Sequence, residues 1–334
     1  MSVLAEQARR FTYARQSLNR AARDADAVLR AVIGVHSTHP TAPLSLLARC
    51  APFDAQAFRG LHAVRLPAMR GVIHLLPHST AHLAFCAVPA AGEVDPAELG
   101  LSAQEYGELR TELLAAAADE PRSARELRAA TGARVTLAPV LGALTREGRL
   151  RRVGAHGLRS NEIYYVADEV PAADSDQALA WLAGEYLRAF GPAREEDFAW
   201  WAGAPAQRAR AALEAADAVD LADGMLLRAA DAEAFERARP VSGTVDLLPR
   251  ADCYTMGYPA GARERLAHPD VVGELYDEGG DSRPVVLVDG RAVGTWSVRA
   301  GTDLELEVEL YEAPTPSVRR ALDARAEEIR ALLR

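Results

Sequence analysis

The chain has 334 residues, 49% of them hydrophobic and 25% charged, the composition of a soluble globular protein with room for two to four compact units. No apolar run reaches the ~18 residues of a membrane span, and no charged-then-apolar-then-small leader opens the chain, so a cytoplasmic protein without membrane contact is expected. All 38 basic residues are arginine, which excludes a lysine imine as a catalytic intermediate and a P-loop lysine on a nucleotide phosphate.

The net charge of −9 conceals an asymmetry: +6 over residues 1–90, −7 over 91–121, +6 over 122–166 and −14 over 167–334. Two basic blocks in an acidic chain predict that a polyanion docks on part of the surface. Cys50, Cys86 and Cys253 are far apart and odd in number, so they read as reduced and buried.

Along the chain, Val28, Leu29, Val32 and Ile33 recur at helical spacing, and the pattern resumes at Leu44, Leu46 and Leu47. Between them lies Gly34-Val35-His36-Ser37-Thr38-His39-Pro40. The residue before a proline avoids the α region, so this segment is expected to be extended or looped. Side chains two apart in such a segment share a side, which brings His36 and Thr38 to one small volume. A neutral imidazole and a hydroxyl so placed can hold and activate one water. Arg70 and His74 lie four apart and are expected to share a face toward the same cleft. His74, His78 and His82 are spaced by four, and His36 and His39 by three, which invites a zinc reading. Pro77 interrupts the helix this would need and no acidic ligand is interleaved, so no metal and no cofactor are expected.

The second basic block parses as one unit. Ser123 and Glu126 form a capping box for a helix from Ala124 to Ala130, ended by Thr131-Gly132. A second helix runs from about Val135 to Arg146 with Leu137, Val140, Leu141 and Leu144 on one face. Strands at Arg149–Val153 and Glu162–Val166 flank a glycine-rich tip. Helix, turn, helix, two-stranded ribbon is the winged-helix pattern, with Arg149, Arg151, Arg152, Arg159 and Asn161 on or near the wing as DNA contacts. A similar but acidic unit follows: helices at 177–190, 194–202 and 205–216, then a hairpin turning at Asp223-Gly224. From about residue 241 strands dominate: Val241–Leu248, Val285–Val288, Ala292–Arg299 and Leu304–Leu310, with a turn at Asp289-Gly290. An amphipathic helix at 316–333 closes the chain.

With these pieces laid out, the chain resembles the winged-helix DNA glycosylases of the AlkZ and YcaQ type over nearly its whole length. The resemblance rests on Arg65-Leu66-Pro67-Ala68-Met69-Arg70-Gly71-Val72-Ile73-His74-Leu75-Leu76-Pro77, and on Phe190-Gly191-Pro192 with Trp200 or Trp201 and Gly203. It rests further on Asp246-Leu247-Leu248-Pro249-Arg250-Ala251-Asp252 and on the run from Val285 to Trp296. It implies an α+β fold: three tandem winged-helix units at 1–92, 93–172 and 173–240, then a small C-terminal β-barrel with closing helix at 241–334. It also implies a DNA N-glycosylase acting on alkylated purines in double-stranded DNA, in a family associated with self-resistance to DNA-alkylating antibiotics; the lack of coiled-coil heptads favours a monomer. His36-Ser37-Thr38 stands where that family typically has Gln-x-Gln or Gln-x-Asp. The substitution reads as a site retuned for a bulky N7-alkylguanine adduct, with His36 and Thr38 catalytic. Ser37, Arg70, His74 and Asp252 join the wing residues as DNA or substrate contacts. The competing expectation is a non-catalytic winged-helix DNA-binding protein, a regulator or an adduct-shielding factor.

Overall fold

The computed structural model describes residues 3–37, 41–88, 92–154, 158, 162–299 and 304–334. After helix α1 (Val3–Arg15), helix α2 (Ala25–Val32) begins where the Asp24 carboxylate accepts the Ala27 N–H. It buries Ala25, Val28, Leu29 and Val32, the face its periodicity predicts. Strand β1 (Val35–His36), helices α3 (Ala42–Leu47) and α4 (Ala55–Arg59), and strands β2 (Ala63–Pro67) and β3 (Ile73–Pro77) follow, then α5 (Ala81–Cys86). β1 pairs with β3, and β3 with β2, all antiparallel. Helix, strand, two helices and a hairpin whose return strand pairs with the first strand is the winged-helix arrangement.

The same order recurs in α6 (Ala103–Ala116), β4 (Arg122–Ser123), α7 (Ala124–Thr131), α8 (Leu137–Arg146), β5 (Leu150–Gly154) and β6 (Ile163–Ala167). The Ser123–Glu126 capping box is present, and α7 ends at Gly132 with φ +64, a conformation that favours glycine. Here β4 pairs with β6, and β6 with β5. The two three-stranded sheets then fuse edge to edge, with Arg65 opposite Arg152, into one six-stranded sheet of order β1-β3-β2-β5-β6-β4. A third repetition is α9 (Ser175–Phe190), α10 (Glu195–Ala202), α11 (Ala206–Ala215), β7 (Ala218–Ala222) and β8 (Met225–Arg228). Ala193 bridges to Leu226 in place of a first strand. Asp223 and Gly224 both take positive φ (+53° and +74°), as a two-residue hairpin turn requires.

Beyond α12 (Ala232–Glu236) come β9 (Val245–Leu248), α13 (Pro269–Val272), β10 (Val285–Val288), β11 (Arg291–Arg299), β12 (Glu305–Leu310) and α14 (Pro316–Leu333). These strands form an open antiparallel sheet of order β12-β11-β10-β9, not the β-barrel the resemblance implies. β9 and β12 remain at opposite edges. The reason lies in β9 and β10, which are buried almost throughout and covered by other elements on both sides, while Glu305, Glu307 and Glu309 leave one side of the edge strand β12 exposed. Val245, Leu247, Val286 and Trp296 pack with Leu44 and Leu47 of α3 and with Leu322, Ala326 and Ile329 of α14. Leu248, Val285, Leu287 and Ala292 face the main core. A barrel gathers one face into a closed interior, whereas a sheet with two covered faces is a layer.

The main core is continuous from α2 through α9 to the C-terminal sheet. The second winged-helix repeat has its own core around Tyr106, Leu113, Leu127, Leu141, Leu150 and Tyr165. Of the cysteines, Cys50 and Cys253 are buried while Cys86 is half-exposed.

Candidate active site

β1 is only two residues long, and it carries the histidine of the opening motif. Gly34 admits it to the sheet: a Cβ there would lie 2.6 Å from Leu76 Cδ2 and 2.9 Å from the Leu75 carbonyl oxygen. In this register His36 stands directly opposite His74. Directly paired residues share a face, and the two rings meet edge to face with centroids 5.7 Å apart. His74 Nδ1 lies 2.8 Å from the Val72 carbonyl oxygen. Nδ1–H therefore donates there, and Nε2 keeps its lone pair. Burial, reinforced by His36 and more weakly by Arg70, pushes the His74 pKa down to about 3 against the Val72 hydrogen bond, so the ring is neutral near pH 7.

Ser37 turns the other way. Its N–H donates to the Ile73 carbonyl at 2.9 Å, continuing the strand alternation, and its Oγ accepts from Arg65 Nε at 2.9 Å. The Arg65 guanidinium lies against Gly154 at the tip of β5, where a Cβ would come within 2.8 Å of it. Ser37 is thus joined to the seam between the two sheets, away from the His36–His74 face. Thr38 lies outside the described residues, so its expected place beside His36 belongs to the proposal below.

Arg70 and His74 do not ride one helix. Arg70 sits at φ +56° in the tight turn between β2 and β3, and His74 follows on β3. Both belong to the β2–β3 hairpin, and the Arg70 charge adds weakly to what disfavours protonation of His74. The guanidinium carbon of Arg70 lies 4.1 Å from the centre of the Trp200 ring on α10. Gly203, at φ +73°, closes α10 against this turn: a Cβ on it would sit 3.1 Å from Arg70 Cα. On the same indole, Arg263 Cζ lies 5.8 Å from the ring centre. Sequence reasoning quoted Trp200 and Gly203 only as part of a resemblance and gave them no role.

The remaining expected site residues lie elsewhere. Asp252 is enclosed in the core, where its carboxylate meets Arg49 Nη2 at 2.6 Å and Nη1 at 2.8 Å, Ser45 Oγ at 2.7 Å and the Tyr254 N–H at 2.9 Å. Against the upward push of burial, Arg49 holds it below the usual carboxylate range. On the second wing, Arg149 pairs with Glu169 at 3.4 Å and Arg151 with Asp168 at 2.8 Å. Arg152 rests 6.0 Å from the centre of the Tyr165 ring. Arg159 and Asn161 fall outside the described residues. The histidines spaced by four also separate: His74 is on β3, His82 is on α5, and His78 between them stacks on His62 at 4.5 Å. Among the described residues no three His, Cys, Asp or Glu side chains gather as a metal site, and no helix is long and apolar enough to cross a membrane. What the fold brings together is therefore His36, His74 and Arg70, backed by Trp200.

Comparison with known proteins accords with this architecture. Among solved structures, the Streptomyces sahachiroi DNA glycosylase AlkZ superposes with a TM-score of 0.78 at 22% identity, covering 100% of this chain and 97% of that one. A likeness at that identity establishes the fold. A search of curated proteins returned no match. The family model for AlkZ-like DNA glycosylases matches residues 29–332, nearly the whole chain with both histidines inside the match, and the protein belongs to that family.

Proposed function

We propose that the protein is a monofunctional DNA glycosylase that hydrolyses the N-glycosidic bond of bulky N7-alkylguanine adducts in double-stranded DNA. It would act as a metal-free monomer, in self-resistance to a DNA-alkylating natural product. The observation that carries this reading is the cross-strand His36–His74 pair with His74 held neutral.

A guanine alkylated at N7 is already cationic. When its C1′–N9 bond breaks, the bonding electrons leave with the base and neutralise it, so no general acid is needed. What must be supplied is a water oxygen for C1′ and an acceptor for that water's proton. His36 is the acceptor, Thr38 orients the water, and the proton passes from His36 to solvent. His74 with its free Nε2 lone pair accepts a hydrogen bond from the same water without competing for the proton. A His74 that stays neutral also keeps a second positive charge away from His36 and from the oxocarbenium-like sugar. The absence of lysine fits hydrolysis that stops at an abasic site rather than a lyase step through an imine. Arg70 and the wing arginines Arg149, Arg151, Arg152 and Arg159, with Asn161, supply contacts to the duplex. Ser37 acts through its tie to Arg65.

The test is incubation of the protein with a duplex carrying one bulky N7-guanine adduct, followed by mass spectrometry of the supernatant and alkali treatment of the DNA. Released adducted base together with alkali-labile strands is expected. Tight binding with neither would replace this reading by a protein that shields adducts without removing them.

A further inference from the structure

We infer that Arg70, stacked on Trp200, is a preset clamp for one DNA phosphate beside the nucleotide attacked at His36, a role that rests on the DNA-binding reading above. Arg70 is exposed, yet its position is fixed at three points. Its backbone is in the left-handed region at φ +56°, an arrangement that costs of order ~1 kcal/mol for a non-glycine residue and persists only where the surroundings impose it. Its Cα is backed closely by Gly203, whose φ of +73° favours glycine and where a Cβ would sit 3.1 Å away, and its guanidinium carbon is 4.1 Å from the Trp200 ring centre. Among the described residues the Arg70 guanidinium makes no hydrogen bond and no ion pair, so it rests over the indole with its N–H groups available.

A flat guanidinium with one face occupied and its N–H fork open matches two oxygens of a phosphodiester. A long surface side chain ordinarily loses rotamer freedom on binding, and stacking removes much of that cost beforehand. Arg263 adds positive charge on the same indole, and it is itself held by the carbonyls of Tyr258 and Gly280 at 3.2 Å each. The nearby Asp281 is engaged by Arg250 at 3.3 Å. Because Arg70 comes from the first repeat and Trp200 from the third, the clamp forms only when the two are packed together, next to His74.

The experiment uses the full-length protein and a duplex bearing a tetrahydrofuran abasic analogue, so that binding is read without catalysis. A single neutral methylphosphonate is walked along each strand. For the wild type, one position within two or three nucleotides of the analogue should weaken binding by about tenfold or more, the loss expected for a charge-assisted contact. Arg70→Leu should bind about that much less well, be indifferent to methylphosphonate at that position, and show a salt slope shallower by about one unit. Trp200→Leu should lose part of the effect at the same position, and Trp200→Phe should recover it. The neutral phosphate is placed on the DNA, so the wild-type result does not depend on how any variant folds. A methylphosphonate profile for Arg70→Leu that matches the wild type, or a wild-type profile with no sensitive position near the analogue, would overturn the clamp. Coupling between Arg70 and one phosphate here, with no base released from the adduct-bearing duplex of the preceding test, would keep the clamp and remove the glycosylase reading instead.

Discussion

Two polar pairs tie distant segments of this molecule together, and they are built to opposite ends. Arg49 and Asp252 are both 0% exposed, and every carboxylate oxygen has a donor. His36 and His74 also bridge two strands, but one ring nitrogen of His74 is committed to the Val72 carbonyl and the other keeps its lone pair. The first pair is closed, with no capacity left for a ligand. The second is held in place and still has capacity to spend on a water. The difference teaches that a polar residue in a family-like motif is a site candidate only if the fold leaves it something to bind with.

Breaking the closed pair should cost the most. Asp252→Ala leaves the Arg49 charge buried without its partner, and thermal or denaturant unfolding should show a loss of about 3–5 kcal/mol. Replacing both together, Arg49→Met with Asp252→Leu, should recover much of it. A single-variant loss below ~1 kcal/mol would mean that water reaches the pair.

Breaking the open pair should cost chemistry instead. His36→Ala should slow base release by about a hundredfold or more with duplex affinity near wild type. A matching fall in affinity would make His36 a binding group.

The pH dependence sharpens the contrast. The pKa of His74 is lowered on folding, from an ordinary value of ~6.5 to about 3. The unfolded chain therefore takes up a proton that the folded protein refuses, and stability falls as pH drops from ~6.5 toward 3, by up to ~1.4 kcal/mol per pH unit. His74→Gln, whose amide can still donate to Val72, should flatten that acid limb. Equal acid limbs for the variant and the wild type would show that His74 is not buried neutral.

The smallest effects belong to the second wing. Arg149→Ala and Arg151→Ala should each reduce the salt slope of DNA binding by less than one unit, because Glu169 and Asp168 already share their charges. Unchanged slopes would place the duplex elsewhere.

Much of the local structure was legible because it is written in neighbouring residues. The Ser123–Glu126 box, the Gly132 stop and the Asp223-Gly224 and Asp289-Gly290 turns need only a few positions each, and all are found as read. The extended backbone at His36 followed from the approaching Pro40. What was not legible depends on partners far along the chain. Nothing near Arg65 announces Arg152, so the fusion of two wings into one sheet was invisible. The strands between 245 and 310 were legible one by one, but the barrel came from the resemblance alone, and whether the sheet closes depends on edge strands that lie far apart in the chain. The spacing of four between Arg70 and His74 suits a shared helical or loop face, whereas strand pairing with β1 sets the neighbours of His74. Asp252 looked available beside a strand end, and only the fold shows Arg49 waiting for it.

In single-turnover reactions on a duplex with one bulky N7-guanine adduct, released base should be measured for wild type, His36→Ala and Asp252→Asn, with binding followed in parallel. Release is expected from the wild type and from whatever fraction of Asp252→Asn remains folded, and none beyond background from folded, DNA-bound His36→Ala. Release by His36→Ala at the wild-type rate would contradict this expectation and move the chemistry away from the histidine pair.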